Sequence, residues 1–349
     1  MRYLFTLALA AFAAITFAQN GSVLSLTLEE ALAQAKANNK TLANAALDVD
    51  YANTQVNEIK AQGLPQINGS GSFTHSYKVP TSIIPGDFVG QPGQNIPVQF
   101  GVPFTMQAAV GVNQLLFDGT FFLGLKAASE FVNISRLSAS ASEIDVREAV
   151  TKAYYMALIS DQNLGQLDGS LKNIQKLKSE TEQLYKAGFA EKLDVDRLVL
   201  SVSNLEISIN QLQNQAKLAK QLLLNSMGVD VNQTVELTSK LPSEIVSLDD
   251  LGSSFSPENR IEMQLLDQQQ ALNELSLKRY NVGYMPSLYG NFNFGGNTMS
   301  SDIGDLGDDW FGLGSYGLSL NVPIFDGFYK KAKTDQVKID IAKTENTKE

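Results

Sequence analysis

The chain has 349 residues, a formal net charge of −10, a single histidine and no cysteine. Its acidity argues against nucleic acid as a partner, because phosphate binding needs a basic face. The lack of cysteine rules out disulfides, thiolate metal sites and a lipid-bearing cysteine, and His75 alone leaves the usual transition-metal ligands almost absent, so no metal or cofactor is expected.

Residues 1–18 read as a signal peptide. Arg2 supplies a short positive start, Tyr3 to Phe17 is an apolar run, and Ala18 ends it at cleavage spacing. Cleavage before Gln19 would remove Arg2 and take the net charge from −10 to −11. No later stretch approaches the ~18 to 20 uninterrupted apolar residues of a spanning helix. Residues 19–65 carry a helix predicted over Leu28 to Gln62, with Leu28, Leu32, Ala35, Leu42, Ala46 and Val49 on one face.

Residues 66–117 read as a first strand pair. Ile67, Gly69, Gly71, Phe73, His75 and Tyr77 alternate with Gln66, Asn68, Ser70, Ser72, Thr74 and Ser76, and Met106, Ala108, Val110 and Val112 with Gln107, Ala109, Gly111 and Asn113. Residues 79–103, with five prolines and four glycines, are the predicted external loop between them. His75 falls on the apolar face and reads as a packed side chain, not a metal ligand.

Residues 118–228 are predicted to form a long helical hairpin. No proline occurs between Phe104 and Leu241, and an interior proline would break a helix. Leu198, Val202, Leu205, Ile209, Leu212, Ala216, Ala219 and Leu223 repeat in strict 4-3 spacing, the seam of a helix packed along a partner. Thr120 to Ala187 carries similar seams, and as one continuous helix would be about 100 Å long at about 1.5 Å per residue. Gly188 stands where a helix end wants a left-handed residue.

Residues 229–256 read as an irregular linker and 257–285 as a further helix. Residues 286–325 form a second strand pair: Leu288, Phe292 and Phe294, then Tyr316, Leu318, Leu320 and Val322, alternate with small and polar residues around a predicted external loop at 296–312. Trp310, Phe311, Tyr77 and Tyr316 are candidates for an aromatic girdle. Residues 326–349 read as the start of a second helical hairpin.

The chain repeats itself. Pro65-Gln-Ile-Asn-Gly-Ser-Gly-Ser-Phe73 matches Pro286-Ser-Leu-Tyr-Gly-Asn-Phe-Asn-Phe294, and Val112-Asn-Gln-Leu-Leu-Phe-Asp-Gly119 matches Leu320-Asn-Val-Pro-Ile-Phe-Asp-Gly327. The unit is helix, strand, loop, strand, helix, used twice. After Gly119 the first unit runs 109 residues to Gly228, whereas 22 remain after Gly327, so the reading frame is expected to continue past Glu349. Four strands with one apolar face suit a lipid-facing barrel, yet cannot close one, and in lipid every backbone group must be paired. Protomers must therefore share a barrel. A dimer with eight strands and a trimer with twelve both satisfy the physics.

The duplicated strand pairs, the turns Phe117-Asp118-Gly119 and Phe325-Asp326-Gly327, and the hairpin Tyr185-Lys-Ala-Gly188-Phe189-Ala-Glu-Lys-Leu193-Asp194-Val195 resemble the TolC family of outer-membrane factors from Leu26 onward. The resemblance implies an α+β membrane protein: a long antiparallel α-helical coiled-coil tunnel in the periplasm, continued by four amphipathic β-strands contributed to a shared trimeric 12-stranded barrel. It implies a homotrimer in the cell outer membrane, docked to a periplasmic adaptor protein and an inner-membrane pump. Such a duct serves tripartite efflux or type I secretion as a passive conduit for drugs, metals or proteins. The family hairpin commonly has Ser or Thr where Glu191 stands and an apolar residue where Asp196 stands.

On this reading Tyr185, Gly188, Phe189, Leu193, Asp194 and Val195 are the candidate adaptor-docking tip. Phe117, Asp118, Gly119, Phe325, Asp326 and Gly327 are structural strand-to-helix turns, with Asp118 and Asp326 as N-caps. Ile67, Phe73, Val110, Val112, Phe292, Phe294, Leu318 and Leu320 are the candidate lipid-facing positions. No nucleophile with a base, phosphate loop or arguable carboxylate pair is present, so no catalytic residue is assigned. The rival reading is a soluble periplasmic coiled-coil adaptor or interaction protein whose strands pack internally.

Overall fold

The computed structural model describes residues 24–90, 92–241 and 256–349. The predicted signal peptide, residue 91 of the first loop and residues 242–255 of the linker lie outside the described residues. In chain order the elements are β1 (Leu24–Leu26), α1 (Leu28–Asn38), α2 (Lys40–Gln62), β2 (Gln66–His75), β3 (Thr81–Pro85), β4 (Asn95–Gln99) and β5 (Phe104–Phe117). There follow α3 (Gly119–Lys186), α4 (Lys192–Met227), β6 (Val235–Leu237), α5 (Ile261–Val282), β7 (Ser287–Ser300), β8 (Phe311–Asn321) and α6 (Tyr329–Lys348).

The chain divides into two units. The first comprises residues up to Val49 and Ser135–Gln264. Its core is built from Leu26, Ala31, Ala35, Val150, Tyr154, Leu158, Leu223, Leu224, Met227 and Val235. Here the structure departs from the sequence reading in two places. The helix expected over Leu28 to Gln62 is interrupted at Asn39, whose backbone is extended (ψ 123°). The Asn39 side chain accepts from the amides of Thr41 and Leu42 at 2.8 and 3.4 Å, so it starts the second helix as it ends the first. Its amide also donates to the Ser226 carbonyl at 2.7 Å. In the expected linker, β6 pairs in parallel with β1, and the buried Tyr154 hydroxyl donates to the Leu26 carbonyl beneath the pair.

Thr27 begins α1 with a reciprocal cap. Its hydroxyl accepts from the Glu30 amide while the Glu30 carboxylate accepts from the Thr27 amide at 2.8 Å. That backbone bond, then the Thr27 hydroxyl, hold the Glu30 carboxyl below its ordinary range against a smaller opposing desolvation.

The second unit, Asp50–Ile134 and Leu265–Glu349, contains the four-stranded antiparallel sheet, in the order β2-β5-β7-β8. The helices follow the same order, α2, α3, α5 and α6. The Cβ of a side chain at Gly119 of α3 would strike Val282 of α5, and Gln268 of α5 donates to Glu130 of α3 at 2.6 Å. Lys348 of α6 pairs with Asp267 of α5 at 2.7 Å. The predicted external loop at 79–103 holds a small hairpin, β3 paired with β4, and the loop at 296–312 shortens because β7 runs to Ser300 and β8 begins at Phe311. The helix expected within 257–285 starts at Ile261, after a 3-10 turn over Pro257–Asn259 and an extended Arg260, and ends at Val282.

Candidate functional site

The sheet is the chemically most unusual part of the molecule. Its four strands carry no Asp, Glu, Lys or Arg. Register decides which side chains share a face. Ile67 opposes Val112, Val112 opposes Phe292, and Phe292 opposes Tyr316. Val110 opposes Phe294, and Phe73 opposes Met106. Leu318 and Leu320 oppose Gly290 and Leu288. Because side chains alternate with period 2, these pairings set all eight candidate lipid-facing residues on one side. That side is open: Leu318 is 71 % exposed, Ile67 69 % and Phe294 64 %.

The opposite side is polar and small. Asn68, Gly111, Asn293 and Ser315 form one row across the strands, and Gln66, Asn113 and Asn291 another. The Asn291 amide donates at 2.7 Å to Ser319, which opposes Tyr289, so this row is tied to the next one on the polar side. A bulge between Leu115 and Phe117 shifts the register of β5 and turns Phe117 to the apolar side, opposite Leu288. The Phe117 ring then lies 6.5 Å from Phe122 on the first turn of α3. His75 stacks on Phe104 at 4.5 Å, which accounts for it as a packing residue. Tyr316 sits mid-strand in β8, not at an end as a girdle residue would, whereas Trp310 and Phe311 stand at its start.

β2 and β8 are edge strands, and every residue in both is exposed. They point in opposite directions, because three antiparallel pairings separate them.

The two strand-to-helix turns look alike in sequence and differ in structure. Asp118 caps α3, accepting from the Thr120 amide at 2.7 Å and its hydroxyl at 2.6 Å. Asp326 is not an N-cap in the same sense. Gly327 (φ 64°) and Phe328 (φ 66°) adopt left-handed conformations and delay the helix to Tyr329. Asp326 reaches past them to accept from the Lys330 amide at 3.1 Å and to pair with its ammonium at 3.2 Å. Desolvation pushes the Asp326 carboxyl up, and these Lys330 contacts outweigh it, leaving it below the ordinary range. Phe325 packs edge-on against Phe328 at 5.4 Å.

In the first unit, Gly188 (φ 85°) ends α3 in a Schellman motif: the Phe189 amide donates to the Leu184 carbonyl at 2.8 Å and the Gly188 amide to Tyr185 at 3.0 Å. This leaves Phe189 83 % exposed, with Tyr185 and Leu193 also exposed. Val195 is half-buried, and Asp194 pairs loosely with Arg197 at 3.9 Å. Glu191 occupies the N-cap of α4 without a side-chain cap bond. Tyr154 and Asn39, which organise the first unit's core, carry no local pattern that marks them in the sequence. Only the break of the apolar register near Asn39 hints at it.

A family model described as outer membrane efflux protein matches residues 31–229. The cation efflux system protein CusC of Escherichia coli O6:H1 is 25 % identical over 89 % of this chain and 63 % of its own length. The probable efflux pump outer membrane protein TtgC of Pseudomonas putida is 25 % identical over 92 % of this chain and 65 % of its own. The chain thus spans less than two thirds of these curated relatives. Among solved structures, the Campylobacter jejuni CmeC outer membrane channel matches with a TM-score of 0.71 at 14 % identity, covering 92 % of this chain and 66 % of that one. A CusC structure matches at 0.69 and 18 % identity, covering 92 % and 71 %. The fold is therefore that of these channels, and with the family model covering more than half of its residues the chain belongs to the outer membrane efflux protein family.

Proposed function

We propose that this chain is one protomer of a trimeric outer-membrane exit duct, a passive conduit and not an enzyme, exported to the outer membrane and extending into the periplasm. The observation that carries the reading is the charge-free sheet with one exposed apolar face, one Asn/Ser/Gly face and two free edges of opposite direction. In hydrocarbon each unpaired backbone group costs several kcal/mol, so free edges drive strand pairing between copies. An even number of strands lets β8 of one copy pair antiparallel with β2 of the next without reversing any strand. Lengths of 10 to 14 residues suit a crossing, which takes about 9–11 tilted residues.

The exposed tip around Gly188, with Tyr185, Phe189, Leu193, Asp194 and Val195, is the surface we assign to a periplasmic adaptor, which links the duct to an inner-membrane pump. The neutral polar face reads no particular solute. Relatives named for cation, antibiotic and toluene efflux fit a common duct whose selectivity rests with the pump. The decisive experiment is fractionation followed by mass measurement in mild detergent. A membrane-bound trimer is expected. Recovery in the detergent-free soluble fraction, or a monodisperse monomer after extraction, sinks the duct reading.

A further inference from the structure

Each of the four helices that continue the sheet carries an exposed lysine close to it, Lys60 on α2, Lys126 on α3, Lys278 on α5 and Lys331 on α6, while the neighbouring Lys330 of α6 is held by Asp326. Lys60 lies six residues before β2, Lys126 nine after β5, Lys278 nine before β7 and Lys331 ten after β8. All four are exposed, and among the described residues none has a carboxylate partner. The nearest acid on the outer side of α6, Asp335, is engaged by Lys338 at 3.7 Å.

Their direction follows from the hollows on the other side of the helices. Gln62, Thr120, Arg279 and Lys330 line hollows shared with Tyr289, Ser287 and Asn321, which belong to the polar side of the sheet. At about 3.6 residues per turn, Lys60, Lys126, Lys278 and Lys331 lie roughly 100–160° round their helices from those positions. A direct contact fixes the same sense on α3. Phe122 touches the apolar-side Phe117, and Lys126 follows Phe122 by one turn. The opposite end of the sheet has the opposite charge, with Asp302, Asp305, Asp308 and Asp309 between β7 and β8. In a chain of net charge −10, four lysines without a carboxylate partner among the described residues, each within ten residues of the same end of the sheet, are not explained by composition.

We propose that Lys60, Lys126, Lys278 and Lys331 form a cationic collar that holds the phosphate headgroups of anionic phospholipids in the leaflet bordering the helical end of the sheet. Long lysine stems lie along apolar surface and carry the ammonium into the headgroup layer. Each such charge is worth about a fivefold gain in attraction to an anionic surface. The collar presupposes the membrane duct proposed above.

The test reconstitutes the full chain into vesicles of equal parts phosphatidylglycerol and phosphatidylcholine, re-extracts it in mild detergent, and measures the phospholipid that stays bound. Several-fold enrichment of phosphatidylglycerol is expected, falling towards parity in about 0.5 M salt, where charges are screened over ~4 Å. The variant with all four lysines changed to Gln should lose the enrichment yet insert and assemble, and the corresponding Arg variant should keep it. Insertion with no preference in the unaltered chain overturns the collar and leaves the duct standing. So does a preference that survives in the Gln variant, and so does loss of assembly without loss of preference, which would place these lysines in contacts between copies. Failure to insert into any vesicle overturns both readings. If the Gln variant does not fold, the salt dependence of the unaltered chain decides alone.

Discussion

The Tyr154 hydroxyl donates to the Leu26 carbonyl at 2.9 Å from a fully buried position, 128 residues away in sequence. The same hydroxyl accepts from the Ser239 amide at 3.3 Å, and Leu26 also accepts from Thr238 at 3.0 Å. One side chain therefore ties α3 to β1 and to the segment that leaves β6.

Tyr154→Phe should destabilise the first unit by about 1–2 kcal/mol, since it leaves the partly buried Ser239 amide without its acceptor while preserving the ring. Tyr154→Ala should cost about 3–5 kcal/mol through the cavity it opens. Thermal unfolding of the two variants checks the order. Equal losses would show that the ring and not the hydroxyl matters.

Gly188 and Gly228 share a positive φ, of 85° and 75°, but not their surroundings. A Cβ at Gly188 meets open space, whereas one at Gly228 comes within 2.6 Å of the Asn38 carbonyl. Gly188→Ala should cost about 1–2 kcal/mol, the left-handed penalty alone. Gly228→Ala should cost distinctly more, because backbone must move. Denaturation midpoints of the two variants give the comparison. Gly188→Pro is expected to abolish export while leaving membrane assembly intact, read as resistance or secretion beside trimer yield. Normal resistance or secretion in that variant would remove the tip from the docking surface.

Glu191→Thr should stabilise the start of α4 by about 0.5–2 kcal/mol, because a hydroxyl would satisfy an amide that Glu191 leaves uncapped. The substitution restores the residue type common in the resembling family. A thermal midpoint at or below that of the unaltered chain would count against this account of the cap.

Neighbouring residues on β7 should respond oppositely to charge. Phe292→Lys places an ammonium on the apolar side near mid-sheet and should cost about 2–4 kcal/mol in the membrane, while Asn293→Lys, on the polar side, should assemble normally. Trimer yield in the membrane fraction measures both. Equal tolerance would contradict the facing assigned to the sheet.

Stability contributed by Glu30 should depend on pH in one direction. Its folded-state carboxyl is held below the unfolded value, so the contribution is fully present above the ordinary carboxylate range and disappears as pH falls through the lowered folded value. Glu30→Gln should therefore lower the thermal midpoint at neutral pH and make little difference in strong acid. A gap between the two chains that is constant with pH would show that the carboxylate charge plays no part.

Long elements were legible in the sequence because many residues vote for one period. The helix Gly119–Lys186 and the paired faces of β5 and β7 are of this kind. Short elements held by distant partners were not. β1 and β6 have three residues each, too few to show alternation, and are defined by the Tyr154 bond and the pairing of Leu26 with Leu237. β3 and β4 were hidden by Pro85 and Pro97, which sit in a two-stranded ribbon where each strand keeps a free edge for the missing donor. At the junction, Phe117-Asp118-Gly119 and Phe325-Asp326-Gly327 could not reveal their different conformations, because Gly119 is fixed by the approach of Val282 and Gly327 by its own φ.

The alternation along β2, β5, β7 and β8 also bears on biogenesis. In the extended chain the apolar residues are diluted one to one by Asn, Ser, Gly and Gln, and no described helix is long and apolar enough to cross a bilayer. A translocon scanning linear hydrophobicity finds nothing in these strands to retain in the inner membrane. The greasy surface comes into being only when Ile67, Val112 and Phe292 are brought side by side by pairing. On the proposed route to the outer membrane, solubility in transit and affinity for lipid at the destination would thus be two states of the same residues, switched by strand registration.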